Sequence, residues 1–293
     1  MRYFIAQSAQ AAAVALAAEP GTARVLAGGT DLLVQMKAGS LAVDLVVDIK
    51  KIPGIRDITP EVGGLRVGAA VAGSELGENA AICALWPGVV EGACLIGSTQ
   101  VQGRCTMIGN LCNGSPAADA VPALVAAGAV VRIEGPNGVR DSDVLDVPTG
   151  PGRTSLKKGE IITSVFLPAR PARSGDAYLR FIPRTEMDIA VASAAVNLTL
   201  DAGGVVVAAR VALGAVAPKV VLVEAGATAL IGSRLEDTAL ANLASACEAA
   251  CNPIDDRRGT IAFRTSTAGV LARRAALIAY ARAQSAGNAG GSK

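Results

Sequence analysis

The spacing of the apolar positions changes near residue 172 and divides the chain into two parts. In the first part, short apolar runs alternate with longer Ala- and Val-rich stretches of helical spacing. The short runs predict strands at 3–5, 24–26, 45–48, 65–67, 129–133 and 160–167. The longer stretches predict helices at 9–18, 32–36, 81–85, 89–95 and 120–127, with a further helix starting at Ser74. A part built in this way combines sheet and helices around one core.

Beyond residue 172, apolar and polar residues alternate over longer runs, which is typical of antiparallel strands. The alternation predicts strands at 178–182, 190–200 and 205–216, and helical spacing returns at 235–250 and 260–283. The sequence therefore predicts an α+β fold. Its expected domains are 1–172, with lobes at about 1–55 and 56–172, and 173–285. The Gly/Ser/Asn-rich segment 286–293 is expected to be a disordered tail.

The composition excludes several kinds of chemistry. The chain of 293 residues has no histidine, so it has no Ser-His-Asp or Cys-His catalysis and no His-ligated zinc. With 27 basic and 25 acidic residues, the net charge of +2 argues against a nucleic-acid or acidic-membrane partner. Aromatic residues make up only 3%, too few for base stacking. Any redox chemistry must therefore come from a cofactor or a partner.

The six cysteines form no C-x-x-C pair, which excludes the usual zinc and iron–sulfur motifs. We expect them to be free thiols in a reducing cytoplasm. The N-terminal run is interrupted by Gln7 and Gln10 and predicts a helix capped by Ser8 rather than an export signal. No stretch of 18 uncharged apolar residues occurs, so no membrane span is expected.

The first candidate site is a glycine pair at the end of a predicted strand. It comprises Leu26, Ala27, Gly28, Gly29, Thr30, Asp31 and Leu32. Glycines at such a turn let backbone N–H groups close on an anion, and the following helix start favours negative charge. Lysine and arginine are scarce in this segment, so backbone would hold most of any phosphate. The alternative is a plain strand-to-helix turn.

The second candidate site lies in a long segment, 97–119, that is expected to be an ordered loop. Its polar groups include Thr106, Asn110, Asn113 and Ser115, and Asp119 stands at the start of a predicted helix. Such a stretch can surround a polar ligand with donors. The alternative for its last five residues is a helix start with Ser as the cap and Pro at the first position.

Four segments, in order, resemble the FAD-binding subunits of the molybdenum hydroxylases, the medium-subunit family of xanthine dehydrogenase and carbon monoxide dehydrogenase. They read AGGTDLL at 27–33, TMIGNLCNGSPAAD at 106–119, GEII at 159–162, and YLRF with RTEMDIA at 178–190. The resemblance extends over almost the whole chain. It departs from the family at Ile108, where a glycine is common, and at Arg180, where the family has lysine.

The resemblance implies an FAD-binding domain of the vanillyl-alcohol oxidase type, followed by a smaller domain with an antiparallel sheet and helices. It implies that the FAD diphosphate lies on the backbone of 27–32, together with Thr106, Gly109 and Asn110. It also places Asp119 beside the ribityl–isoalloxazine part, Ile96 and Ile162 against the flavin or adenine, and Arg180 against the flavin. No metal ligands and no catalytic residues are expected in this chain.

The same resemblance implies an oxidoreductase subunit that takes electrons from 2Fe–2S clusters and passes them through FAD to an external acceptor. Its expected partners are a large molybdopterin-binding subunit and a small iron–sulfur subunit, in a heterotrimer or its dimer. The substrate stays open among purines, N-heterocycles, aldehydes, aromatic thioesters and carbon monoxide. Two alternatives remain: a self-contained vanillyl-alcohol-oxidase-type flavoenzyme, with flavin tethered to Cys105 or Cys112, and a non-catalytic nucleotide-binding module.

Overall fold

The first 48 residues form a small parallel sheet flanked by helices. The computed structural model describes residues 1–289. Its first elements are β1 (Arg2–Ile5), α1 (Ala9–Ala18), β2 (Ala23–Leu26), α2 (Leu32–Lys37) and β3 (Leu45–Asp48). The strand order is β1-β3-β2, with both pairs parallel. The hydroxyl of Ser8 accepts a hydrogen bond from the amide of Ala11 at 3.1 Å, so the predicted cap starts α1.

A second, antiparallel sheet and a group of short helices follow. The elements in order are β4 (Ile58–Glu61), β5 (Gly64–Gly68), α3 (Gly73–Glu78), α4 (Ala80–Leu85), α5 (Pro87–Cys94), α6 (Thr99–Gln102), α7 (Met107–Cys112), α8 (Ala120–Ala126), β6 (Val130–Gly135), β7 (Gly138–Asp143), β8 (Pro148–Gly150), β9 (Arg153–Thr154) and β10 (Ile161–Pro168). The five-stranded sheet has the order β4-β5-β10-β6-β7. Strand β10 is central and mostly buried, as its nearly continuous apolar sequence predicts.

The C-terminal part packs helices against a meandering antiparallel sheet. Its elements are β11 (Ser174–Phe181), β12 (Ala192–Leu200), β13 (Val206–Gly214), β14 (Val221–Leu222), α9 (Glu224–Leu230), α10 (Asp237–Ala249) and α11 (Ile261–Ala289). The strands pair in sequence order. Helix α11 presents alanines to the sheet, and Gly175 allows the close approach because a Cβ there would overlap the carbonyl oxygen of Ala279. The predicted α+β class with an antiparallel C-terminal sheet is confirmed.

Buried apolar side chains form two clusters. One is drawn mainly from residues 6–167 and the other from residues 177–283. Both are built from Ala, Val, Leu and Ile, since aromatic residues are scarce; Trp86 and Tyr178 are the largest fully buried side chains. No helix among residues 1–289 has the length and apolarity needed to cross a bilayer.

Three expectations need correction. The segment 97–119 is not a continuous loop, because it contains the short helices α6 and α7. The Asn137-Gly138 pair predicts a turn over 135–140, whereas β7 already begins at Gly138 as a polar edge strand without apolar alternation. Helix α11 continues to Ala289, so 286–289 are helical rather than part of a disordered tail. The rest of that predicted tail, 290–293, lies outside the described residues.

Candidate functional site

A cavity of about 850 Å³ opens between the parallel sheet and the five-stranded sheet. Its size is within the range of small-molecule and cofactor pockets, about 300–1,000 Å³. Segments far apart in sequence meet in its wall. The predicted cofactor residues that line it are Ala27, Gly28, Gly29, Thr30, Asp31, Leu32, Ile96, Thr106, Gly109, Asn110 and Ile162. The structure therefore brings most of the predicted site residues together, and their contact with a cofactor stays a prediction.

The turn after β2 requires glycine at positions 28 and 29. A Cβ at Gly28 would overlap the carbonyl oxygen of Arg104, so the turn after β2 lies directly against the chain that leads into α7. Gly29 has a φ of +78°, a conformation that side-chain-bearing residues rarely adopt. The turn thus exposes backbone at the cavity wall, whereas Leu26 just before it points into the protein and does not line the cavity.

Thr106 fixes the second wall of the cavity. It is the N-cap of α7, and its Oγ1 accepts a hydrogen bond from the amide of Gly109 at 2.9 Å. A Cβ at Gly109 would lie 2.8 Å from that same Oγ1, so the short contact favours glycine. The side-chain carbonyl of Asn110 accepts from the amide of Ala120 at 3.0 Å and so ties α7 to the start of α8. Within residues 1–289 the amide NH₂ of Asn110 donates no hydrogen bond.

We expect Thr106→Val to weaken FAD binding, because it removes the hydroxyl that holds the first turn of α7. Loss of an N-cap costs about 0.5–2 kcal/mol of stability. Ser8→Ala is the matched control, since it removes the cap of α1 at a position outside the cavity wall. Thermal unfolding and FAD titration of both variants provide the check. The assignment of Thr106 to the FAD site is supported if both variants lose similar stability and only Thr106→Val binds FAD more weakly. Equal FAD affinities of the two variants contradict it.

A third wall of the cavity was not predicted from the sequence, except for Ile162 at its end. The loop from Gly152 to Ile162 closes the cavity and contributes Lys157 and Lys158, together with the start of β10. Glu160, which also lines the cavity, is held by Arg140 in a two-point ion pair at 2.9 and 2.8 Å. The available signal was the GEII motif itself, because the two lysines stand directly before it.

The cavity is polar along the glycine turn and apolar beyond it. Ile96, Ile108 and Ile162 are buried apolar residues in its wall. Asp31 is partly buried there, and burial raises the pKa of its carboxyl group above the usual value. Backbone and hydroxyl donors along one stretch and aliphatic side chains along another suit a ligand with a charged centre and a flat apolar ring.

Asp119 and Arg180 are predicted cofactor residues that do not line the cavity. They pair with each other instead: Arg180 Nη1 lies 2.7 Å from Asp119 Oδ2, and the two side chains are only 6% and 10% exposed. Tyr178 donates its hydroxyl to Asp119 Oδ1 at 3.0 Å. Burial raises the pKa of Asp119, and Arg180 and Tyr178 act against that rise. The cluster joins the start of α8 to β11, and any contact of these residues with a cofactor stays a prediction.

Neither thiol near the cavity is a ready nucleophile. Cys105 is buried, which raises the pKa of its thiol. Cys112 is exposed at the cavity wall, and desolvation raises the pKa of its thiol to about 12. Because the thiolate is the reactive form, the raised pKa values argue against both thiols as nucleophiles at neutral pH. Among residues 1–289 no cluster of cysteine and carboxylate side chains is arranged to hold a metal ion.

Comparisons with known proteins agree with this geometry. Residues 1–170 match the family model described as the FAD binding domain in molybdopterin dehydrogenase. Residues 177–279 match the CO dehydrogenase flavoprotein C-terminal domain.

Individual relatives point to the same group. The chain is 33% identical to the carbon monoxide dehydrogenase medium chain of Hydrogenophaga pseudoflava, over 92% of this chain and 94% of the relative. It is also 33% identical to the xanthine dehydrogenase FAD-binding subunit of Escherichia coli O157:H7, over 70% and 71%. A chain in the crystal structure of the cyanide-inactivated Cu,Mo-CO dehydrogenase superimposes with a TM-score of 0.93 at 32% identity, covering 96% of this chain and 98% of that one.

Proposed function

Because this chain belongs to the family of FAD-binding medium subunits of molybdopterin dehydrogenases, we propose that it is the electron-exit subunit of such a complex. In this role it takes electrons from the 2Fe–2S clusters of a partner and passes them through FAD to an external acceptor. The observation that carries the proposal is the single cavity in which the AGGTDL turn, the Thr106–Asn110 segment and the start of β10 meet.

The residues of the cavity fit FAD. The turn at Gly28 and Gly29 presents backbone at the cavity wall, where a diphosphate would lie, and Thr30 adds a hydroxyl. The free amide of Asn110 offers a further donor on the opposite wall. Ile96 and Ile162 supply aliphatic surface for a flat ring system. When bound, FAD supplies the redox chemistry, since its isoalloxazine ring accepts and releases electrons.

The protein groups bind and orient rather than react. The Thr106 hydroxyl holds the first turn of α7, and the Asn110 side chain fixes α7 against α8. The Asp119–Arg180 pair holds the start of α8 against the C-terminal sheet.

A self-contained flavoenzyme with a covalent tether is the second candidate, and the thiols argue against it. A tether through Cys105 or Cys112 needs a thiolate, and desolvation raises the pKa of both thiols. The other alternative, a non-catalytic nucleotide-binding module, would use the same cavity, and membership in the family of FAD-binding medium subunits argues against it.

The proposal extends to partners, domains and location. The substrate is oxidised at a molybdopterin in a large subunit, and a small subunit carries the iron–sulfur clusters. The three chains form a heterotrimer or its dimer in the cytoplasm. The division at residue 172 into an FAD-binding domain and a C-terminal domain is supported by the two apolar clusters, which are drawn mainly from either side of it. The lobes at about 1–55 and 56–172 are supported by their separate sheets.

Electron flow can be tested by mixing the FAD-loaded chain anaerobically with its small iron–sulfur subunit, reduced beforehand and freed of reductant. We expect the visible absorption of the flavin to bleach as the clusters are reoxidised. The FAD-loaded chain alone should not oxidise carbon monoxide, xanthine or glyceraldehyde. A flavin that stays oxidised beside reduced clusters, or turnover of any of these probes by the isolated chain, contradicts the electron-exit role.

A further inference from the structure

The charges around the cavity do not balance. Five charged residues line it: Arg24, Asp31, Lys157, Lys158 and Glu160. The charge of Glu160 is matched by Arg140, so Asp31 is left as the negative charge of the wall against Arg24, Lys157 and Lys158. Within residues 1–289, neither Lys157 nor Lys158 forms an ion pair. Among these described residues, the cavity wall therefore carries a net positive charge.

The two lysines stand on a loop whose position is fixed. The amide of Lys157 donates to Glu160 Oε2 at 2.8 Å, and the amide of Glu160 donates to the carbonyl oxygen of Lys157 at 2.9 Å. The next residue after the pair, Gly159, has a φ of +86° and is buried. A Cβ there would lie 2.9 Å from the Cβ of Ala17 in α1. The loop is thus pinned against α1, although both lysine side chains are exposed.

Lys157 and Lys158 supply the positive charge that the AGGTDL turn lacks. The turn has no basic residue of its own, and Lys50, which donates to the carbonyl oxygen of Ala27 at 3.3 Å, is paired with Asp48. The Lys157 and Lys158 ammonium groups reach the same cavity from a different part of the chain. Charges at the mouth of a cleft act over about 10 Å at 0.1 M salt, and they raise both the rate of capture and the affinity for an anionic ligand.

We propose that Lys157 and Lys158 form a cationic rim that attracts the diphosphate of FAD and makes the chain select FAD over flavins without phosphate. The inference rests on the proposed function, because it takes FAD as the ligand of the cavity. Lys157 and Lys158 would thus be two binding residues outside the motifs. The choice of FAD over flavins without phosphate would depend on their charge rather than on the shape of the cavity.

The test compares two double variants with the same loss of charge. Lys157→Gln/Lys158→Gln removes the rim, and Lys51→Gln/Lys219→Gln removes two exposed lysines that lie away from the cavity wall. Flavin is stripped from each protein, and FAD and riboflavin are titrated by fluorescence. The titrations are made at about 0.01 M salt, where charges act over about 30 Å, and at about 1 M, where they act over about 3 Å.

In low salt we expect the rim variant to bind FAD about tenfold more weakly than the parent, with riboflavin affinity unchanged. The difference in FAD affinity should disappear at high salt, and the control variant should match the parent throughout. The proposal is overturned if the rim variant binds FAD as well as the control in low salt, or if riboflavin is weakened as much as FAD. A parent that binds no FAD at all overturns the proposed function as well, whereas equal binding by parent and rim variant overturns only the rim.

Discussion

Gly28→Ala should abolish tight FAD binding, although it adds a single methyl group. The new Cβ would overlap the carbonyl oxygen of Arg104, a backbone atom that cannot rotate away. The turn and the chain entering α7 must then separate, although Gly28 on one side and Thr106 on the other both line the cavity. Overpacking of this kind costs about 1–3 kcal/mol, and if FAD binding bears the whole cost, the Kd for FAD rises about 5- to 150-fold.

Gly103→Ala is the matched control for this prediction. It lies one residue from Arg104, has no heavy atom within 4 Å of its ideal Cβ position, and has an ordinary negative φ of −70°. We expect it to bind FAD like the parent. Titration of both variants with FAD, beside their thermal unfolding, decides the matter: equal affinities would show that the two walls do not need their close backbone contact.

Arg180→Met should destabilise the chain more than any exposed charge deletion. It leaves Asp119 buried without its guanidinium partner, and breaking a buried pair in this way costs about 3–5 kcal/mol. For a chain of this size the melting temperature should fall by roughly 10 °C. Arg132→Met provides the comparison, because its partner Asp141 is 45% exposed and Arg132 itself 37%, so its loss should cost at most about 1 kcal/mol.

The loss of stability caused by Arg180→Met should increase with pH. Burial raises the pKa of Asp119 even beside Arg180, and removal of the guanidinium raises it further. Ionisation of a group whose pKa is raised in the folded state destabilises the fold, so the deficit grows as the pH rises through that pKa. It should shrink in acid, and Asp119→Asn added to Arg180→Met should recover part of it at neutral pH. A loss no larger than that of Arg132→Met, or one that is independent of pH, would contradict the described pair.

Local sequence signals were sufficient for many of the elements and for the glycine turn of the site. The strand ending at Leu26 and the glycine pair after it depend on neighbours within a few residues, and such interactions can be predicted from a pattern. The central strand β10 was equally clear, because its buried residues form one nearly continuous apolar run. Helix α7 and its cap at Thr106 were not predicted, because the segment 97–119 was expected to be a loop.

What the sequence did not reveal depends on tertiary contacts. Gly28 was expected to make room for phosphate, whereas the structure shows that the backbone of Arg104 already occupies the space where its Cβ would lie. Lys157 and Lys158 stand directly before the GEII motif, but only the folding of their loop against α1 brings them to the cavity. Asp119 and Arg180, 61 residues apart, form a buried pair that neither neighbourhood predicts.

The most direct test of the account is the visible absorption spectrum of the purified chain, recorded after incubation with FAD and gel filtration and again after acid precipitation. The account predicts flavin bands that correspond to stoichiometric FAD on the native chain, and complete release of that flavin into the acid supernatant. A chain that stays colourless after incubation would contradict FAD binding, and flavin that remains in the protein pellet would show a covalent tether that the protonated thiols do not support.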